Sequence, residues 1–183
     1  MKIPKPTIVT RDKWGAEKEK DCSVYTNNPD DLPGIYNEIT IHHEAGAAAP
    51  TTMTLDQGCN RMQEIQAQHF NQGWCDIGYH YVIDGAGRIY SGRSIFQKGA
   101  HVENHNTGNL GICLMGNFEE RTPTEPQVKS LVNLLAFEAN YLKIPVGDIS
   151  GHRDFLATAC PGKNLYSLLP EIRRRVSKIL EGG

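Results

Sequence analysis

A nearly continuous apolar run bounded by glycines, LGICLMG at residues 110–116, limits the fold more than any other feature of the chain. A strand that is apolar on both faces lies in the interior of a sheet that helices cover. The β-branched run NEITIHH at 37–43 predicts a second strand, which ends in two histidines. Two further runs, YHYVID and RIYSG, flank the glycine-containing turn 85–87 and predict a hairpin. Together these runs predict a mixed sheet at the centre of the molecule.

Three segments with apolar residues at helical intervals predict long helices, over 55–71, 128–142 and 168–182. The first two are preceded by Thr54 and Thr124, each followed three residues later by a glutamine, which is the spacing of a capping box. Because helical and strand segments alternate along the chain, we expect an α/β fold with a central mixed β-sheet flanked by helices.

The chain of 183 residues has the length of one domain, and no linker or internal repeat divides it, so we expect a single domain over residues 1–183. Its 19 Lys and Arg against 21 Asp and Glu give a net charge of −2, which offers no electrostatic argument for a nucleic-acid partner. No run approaches the roughly 20 apolar residues of a membrane helix, so we expect no stable membrane insertion. We also expect a monomer.

Five cysteines are scattered along the chain, an odd number without the spacing of a disulfide framework. The N-terminus, MKIPKPTIVTRDKWG, lacks the apolar segment of a secretory signal. Both observations favour reduced thiols in a cytosolic protein.

Three groups of residues are candidates for chemistry. They are His42 and His43 at the strand end, His80 with His101 and His105 in the middle of the chain, and His152, which precedes Cys160 by eight residues. Two histidines and one cysteine suit Zn²⁺ and leave a fourth position open. On spacing alone, a core thiol and a hydrogen-bonded loop histidine explain the segment of His152 and Cys160 better, because no compact motif such as H-E-x-x-H is present. A cysteine nucleophile with a histidine base is less favoured, because no nucleophile elbow surrounds Cys160.

Five segments in chain order cover nearly the whole sequence: RDKWGA (11–16), ITIHHEAG (39–46), HFNQGWCDIGYHYVIDGAGRIYSGR (69–93), GAHVENHNTGNLGICLMGNF (99–118) and SGHRDFLATACPG (150–162). In this order they resemble the type 2 N-acetylmuramoyl-L-alanine amidase family, which includes the peptidoglycan recognition proteins and phage amidases. Five ordered matches are far more specific than any one of them.

The resemblance implies a zinc site at one edge of the sheet groove, with His42, His152 and Cys160 as the metal ligands. It implies a catalytic Tyr79, whose hydroxyl hydrogen-bonds the attacking water or the developing oxyanion. It also places Thr158 over the metal as a polar group, where some phage relatives carry a lysine. The implied reaction is zinc-dependent hydrolysis of the amide between N-acetylmuramic acid and L-alanine in peptidoglycan.

The resemblance further places Trp74, Arg93, His101 and Asn106 along a groove that binds muropeptides. A non-catalytic peptidoglycan-binding module is the alternative, although such relatives typically lack the ligand cysteine. A catalytic domain without a signal or a separate wall-binding module also resembles a phage endolysin. We therefore expect a bacteriolytic protein that is cytoplasmic until its release to the cell wall, or secreted if a signal peptide has been removed.

Overall fold

The computed structural model describes residues 3–182, so the first two residues and the last residue of the predicted domain lie outside it. Within the described part, one mixed sheet contains six strands: β1 (Ile8–Val9), β2 (Glu38–His43), β3 (Tyr81–Ile83), β4 (Ile89–Ser91), β5 (Asn109–Leu114) and β6 (Ile149–Gly151). Their order across the sheet is β1-β4-β3-β5-β2-β6, and all neighbours are parallel except β3 and β4. The predicted central strand is confirmed, because β5 lies between β3 and β2 and is buried along its whole length.

Six α-helices accompany the sheet in the same described range: α1 (Arg11–Trp14), α2 (Leu32–Ile35), α3 (Leu55–Asn71), α4 (Glu125–Leu142), α5 (Lys163–Tyr166) and α6 (Leu169–Leu180). The three long helices are those that the sequence predicts. Both capping boxes form: Thr54 Oγ1 accepts from the Gln57 N–H at 3.2 Å, and Thr124 Oγ1 accepts from the Gln127 N–H at 3.1 Å. Each glutamine side chain accepts from its threonine N–H in return. These bonds satisfy backbone donors that a helix start leaves unpaired.

Helices cover both faces of the sheet and form one domain with three layers. Helices α4 and α6 pack over the face that carries Ile41 and Ile112. Helix α3 and Trp14 of α1 pack over the opposite face, which carries Val82 and Cys113. No helix in the described residues is long and apolar enough to cross a membrane.

The parallel strands β2 and β6 bring two predicted ligands to the same edge of the sheet. Ile41 pairs with Gly151, and the residues that follow them are His42 and His152. Strand β6 has three residues and β1 has two, so neither is long enough to show a periodic pattern from which it could be predicted.

A disulfide joins Cys22 to Cys75, whose Cα atoms lie 5.3 Å apart, so the prediction of a fully reduced chain is wrong. The N-terminal segment runs back against the loop that follows α3, where the Lys20 N–H donates to the Cys75 carbonyl at 2.8 Å. The two cysteines are 53 residues apart, and their local sequence does not indicate the pairing. The other three cysteines are free: Cys59, Cys113 and Cys160.

Candidate metal centre

Three side chains suited to metal binding meet at the carboxyl edge of the sheet. His42 lies on β2, His152 directly follows β6, and Cys160 lies in the loop that leads to α5. Their ligand atoms all lie within 4.8 Å of one another, and His42 Nδ1 is 3.6 Å from Cys160 Sγ. Of residues 3–182, these three alone form such a group of potential ligands. The structure therefore brings together the three residues that the sequence predicts as ligands.

Hydrogen bonds donated by backbone N–H groups close the loop that carries His152 and Cys160. The Arg153 N–H donates to the Cys160 carbonyl at 3.0 Å, and the Gly151 N–H donates to Asp154 Oδ2 at 2.8 Å. A short 3₁₀ turn over His152–Asp154 starts the return. The loop therefore brings together two side chains that are too far apart in sequence to meet on one helical turn.

The Cys160 thiol is a weak acid in the metal-free site, because burial raises its pKa to about 12. The His43 N–H points at the sulfur from 3.4 Å and stabilises the thiolate, which is the form of cysteine that binds metals. At neutral pH the thiol keeps its proton in the metal-free protein, so a metal ion must displace that proton when it binds.

The histidine ligands are neutral at pH 7. Burial, helped by the neighbouring rings, lowers the pKa of His42 well below its ordinary value, and burial lowers the pKa of His152. His42 Nε2 lies 3.0 Å from Nδ1 of His101, a third buried ring whose pKa burial lowers to about 3. Neutral imidazole is the form that ligates a metal.

One buried atom in the site supports metal binding directly. His152 Nε2 is buried and has no hydrogen-bond partner among the described residues. Such an atom costs free energy unless a partner satisfies it, and a metal ion is a partner that a ring nitrogen accepts. Two imidazoles and a thiolate form a donor set that zinc prefers, with a fourth tetrahedral position left open. The residues present therefore fit a zinc ion.

Tyr79 and Thr158 line the same cavity as the three ligands. The ring centroid of Tyr79 lies 5.2 Å from that of His42, and burial raises the pKa of Tyr79 well above its ordinary value. Its hydroxyl is therefore a neutral hydrogen-bond donor. Thr158 Oγ1 accepts from the Cys160 N–H at 3.2 Å, which leaves its own O–H available to donate.

Two adjoining cavities form a groove over the site. A cavity of about 410 Å³ contains the ligands, and a second cavity of about 460 Å³ extends from it past Trp74 and His101 to Asn106. These three residues, which the resemblance assigns to substrate binding, all line the groove. Glu103 and Leu156 also line it, and neither is predictable from the sequence because they are ordinary loop residues without a motif.

Arg93, which the resemblance places in the groove, is not among the residues that line the two cavities. Its side chain is buried, and its guanidinium donates to the carbonyls of Asp76, Ile77 and Lys98 at 2.7–2.9 Å. These bonds use three of the five N–H donors of the guanidinium inside the protein. Arg93 therefore holds together the segment that follows α3.

The family model for N-acetylmuramoyl-L-alanine amidase matches residues 33–163. Peptidoglycan-recognition protein SD of Drosophila melanogaster is 36% identical over 165 residues, which cover 90% of this chain and 84% of that protein. The crystal structure of the Drosophila protein of that name aligns with a TM-score of 0.79 and 33% identity, over 91% of this chain and 95% of that one.

Two further relatives come from other kinds of organism. Peptidoglycan recognition protein 1 of Bos taurus is 35% identical over 176 residues, which cover 92% of this chain and 86% of that protein. The structure of the endolysin N-acetylmuramoyl-L-alanine amidase LysCS from Clostridium intestinale aligns with a TM-score of 0.74 and 29% identity, over 96% of this chain and 98% of that one.

The prediction of a cytoplasmic, endolysin-like location is wrong. The fly and cattle relatives are peptidoglycan recognition proteins of animals, not bacterial endolysins that are stored in a cytoplasm. The disulfide between Cys22 and Cys75 agrees with this correction, because disulfides form and persist mainly in oxidising compartments.

Proposed function

Because the chain belongs to the N-acetylmuramoyl-L-alanine amidase family, we propose that residues 1–183 form a zinc-dependent catalytic domain that hydrolyses the amide between N-acetylmuramic acid and L-alanine in peptidoglycan. The observation that carries the proposal is the complete set of His42, His152 and Cys160 in the groove, with a buried ring nitrogen that lacks a protein partner among residues 3–182. Binding of peptidoglycan alone does not require two neutral imidazoles and a thiol directed at one point.

A zinc ion held by these three side chains would supply an activated water as nucleophile and polarise the amide carbonyl. The chain's own residues supply the other interactions. The His43 N–H favours the thiolate of Cys160. Tyr79 stays protonated because burial raises the pKa of its hydroxyl, and we assign to this hydroxyl the role of donor to the oxyanion that develops on the carbonyl. One such donor typically lowers the barrier by about 3 kcal/mol.

The groove offers an apolar wall for a muropeptide next to the ligand cluster. Trp74 lines both cavities, and its ring packs on His69 with 4.5 Å between the centroids, which fixes the orientation of the indole. His69 Nδ1 accepts from the Gly78 N–H at 3.0 Å and is itself held in place. A preformed wall of this kind lowers the entropy cost of binding a flexible peptide.

The proposal is tested by incubating the purified protein with cell-wall sacculi and measuring new amino-terminal L-alanine. Zinc-loaded protein is expected to release it, a chelator is expected to stop the release, and added zinc is expected to restore it. Cys160→Ser removes one ligand and is expected to abolish the release. The matched control is Cys59→Ser, which changes a free cysteine on α3 outside the groove and is expected to leave activity unchanged. Sacculi that gain no L-alanine termini from the zinc-loaded protein would contradict the proposal.

Recognition without hydrolysis is the second candidate, and the names of the fly and cattle relatives favour it. It would use the same groove. Under the amidase proposal, Cys160→Ser stops hydrolysis but retains most of the affinity for muropeptides. Under the recognition alternative, the zinc-loaded wild-type protein binds muropeptides and releases no L-alanine.

A further inference from the structure

A buried histidine outside the ligand set, His101, connects a ligand to the backbone of the sheet. Its side chain is 7% exposed, and each ring nitrogen has a protein partner. Nδ1 lies 3.0 Å from His42 Nε2, and Nε2 lies 3.0 Å from the carbonyl oxygen of Asn109. The resemblance assigns His101 to substrate binding, but both of its nitrogens are directed at protein atoms.

The carbonyl of Asn109, which lies against His101 Nε2, determines which nitrogens of the His101 and His42 rings carry protons. A backbone carbonyl only accepts hydrogen bonds, so Nε2 of His101 must carry a hydrogen. The neutral ring then has a lone pair on Nδ1, which accepts the Nε2–H of His42. This leaves a lone pair on His42 Nδ1, the atom that faces Cys160 Sγ at 3.6 Å. The Asn109 carbonyl therefore sets the tautomer of His42 through the intervening ring.

The surroundings of His101 hold its ring in this orientation. A Cβ atom at Gly111 would lie 2.6 Å from His101 Cδ2, and one at Gly99 would lie 2.7 Å from the same atom, so the ring fits between two glycines. Asn109, which provides the carbonyl, is fixed in turn because its Oδ1 accepts from Thr40 Oγ1 at 2.8 Å. The ring and its acceptor are thus positioned before any metal binds.

We propose that His101 is a positioning residue that holds His42 as the Nε2–H tautomer and so directs the Nδ1 lone pair at the metal. The proposal rests on the proposed function only in that it requires a metal at this site. Zinc binding without hydrolysis would leave it intact. Loss of the hydrogen-bond partner behind a ligating histidine typically weakens metal binding about 10- to 100-fold.

Variants of His101 test the proposal through zinc affinity, measured by competition with a chromophoric chelator. His101→Leu removes the acceptor for His42, and we expect the affinity to fall about 10- to 100-fold. His101→Gln keeps an acceptor oxygen and a donor NH₂ group, so we expect an affinity between those of the Leu variant and the wild type. The matched control is His105→Gln, which alters an exposed histidine in the same segment and should not change the affinity. A Leu variant that binds zinc as tightly as the wild type would overturn the proposal.

The zinc-free wild-type protein gives a second readout, which does not depend on a variant that folds. Long-range ¹H–¹⁵N correlation spectra distinguish protonated from bare ring nitrogens. We expect His42 and His101 each to carry its proton on Nε2 at pH 7. A proton on Nδ1 of His42 would overturn the proposal, even if the protein proves to be an active amidase.

Discussion

Cys160 is the ligand whose high pKa most opposes metal binding. Burial raises its pKa to about 12, whereas burial lowers the pKa values of His42 and His152. At neutral pH the metal-free site therefore holds one proton to displace, on the sulfur, and none on the ligand nitrogens. Zinc binding exchanges that proton for the metal ion.

Zinc affinity is predicted to rise with pH through the neutral range. Because the thiol pKa lies far above pH 9 and the ligand is the thiolate, the dissociation constant should fall at least tenfold per pH unit between about pH 7 and pH 9, and more steeply where zinc-bound water also ionises. The two histidines contribute nothing there, because their pKa values lie below the ordinary 6.5. Calorimetry in buffers of different ionisation enthalpy should detect at least one proton released per zinc bound, with any excess over one coming from ionisation of the zinc-bound water. Release of no proton would contradict this account of the site.

The ligand set could be predicted from motifs but not from local spacing. The separation of His152 and Cys160 also suits a core thiol, and His42 lies more than 100 residues earlier in the chain. The parallel pairing of β2 and β6 brings these segments together, and that pairing is long-range. The inward contacts of Arg93 and His101 could not be predicted for the same reason, because their partners are backbone carbonyls that tertiary structure brings near.

At the scale of elements, the strongly periodic segments were predictable and the short ones were not. Helix α3 has the bounds that its apolar pattern predicts, and β5 is central as its apolar run predicts. The site itself depends on β6 and on the turn His152–Asp154, three residues each, which are too short to show a period. The disulfide could not be predicted from the sequence either, although it anchors the segment next to Trp74 in the groove.

Removal of this disulfide should destabilise the protein substantially. Its cysteines are 53 residues apart, and cross-linking a loop of that size stabilises a fold by about 4 kcal/mol in the chain-entropy model. We expect the double variant Cys22→Ser, Cys75→Ser to lose about that free energy of unfolding in urea denaturation. Cys59→Ser is the control, with an expected loss below about 1 kcal/mol. Five reactive thiols in the unreduced, denatured wild type would show instead that the bond does not form.

At the scale of the whole molecule, the fold buries one carboxyl group on the side of the sheet that α4 covers. Glu138 of α4 is 1% exposed, and its Oε1 accepts from the Tyr81 hydroxyl at 2.6 Å. Its Oε2 is buried without a hydrogen-bond partner in the described part of the chain. Burial raises the pKa of Glu138 to about 7, which links the stability of the whole domain to pH.

Stability is predicted to fall as pH rises through the pKa of Glu138. The folded state binds this proton more tightly than the unfolded state, whose carboxyl titrates near 4.5. The contribution of this carboxyl to the free energy of unfolding is therefore complete below about pH 4.5 and is lost above about pH 7. At about 1.4 kcal/mol per pKa unit, the change is about 3 kcal/mol. The difference in unfolding free energy between the wild type and Glu138→Gln should change by this amount. A difference that is independent of pH would contradict the assignment.

A zinc titration of chelator-stripped protein tests whether a zinc ion held by His42, His152 and Cys160 makes this domain an amidase. Bound zinc and the release of L-alanine-terminated peptide from a defined muropeptide are followed in the same samples. We expect no activity without metal, and a linear rise of activity that ends at one zinc per chain. Full activity in the stripped protein, or no activity with one zinc bound, would contradict this expectation.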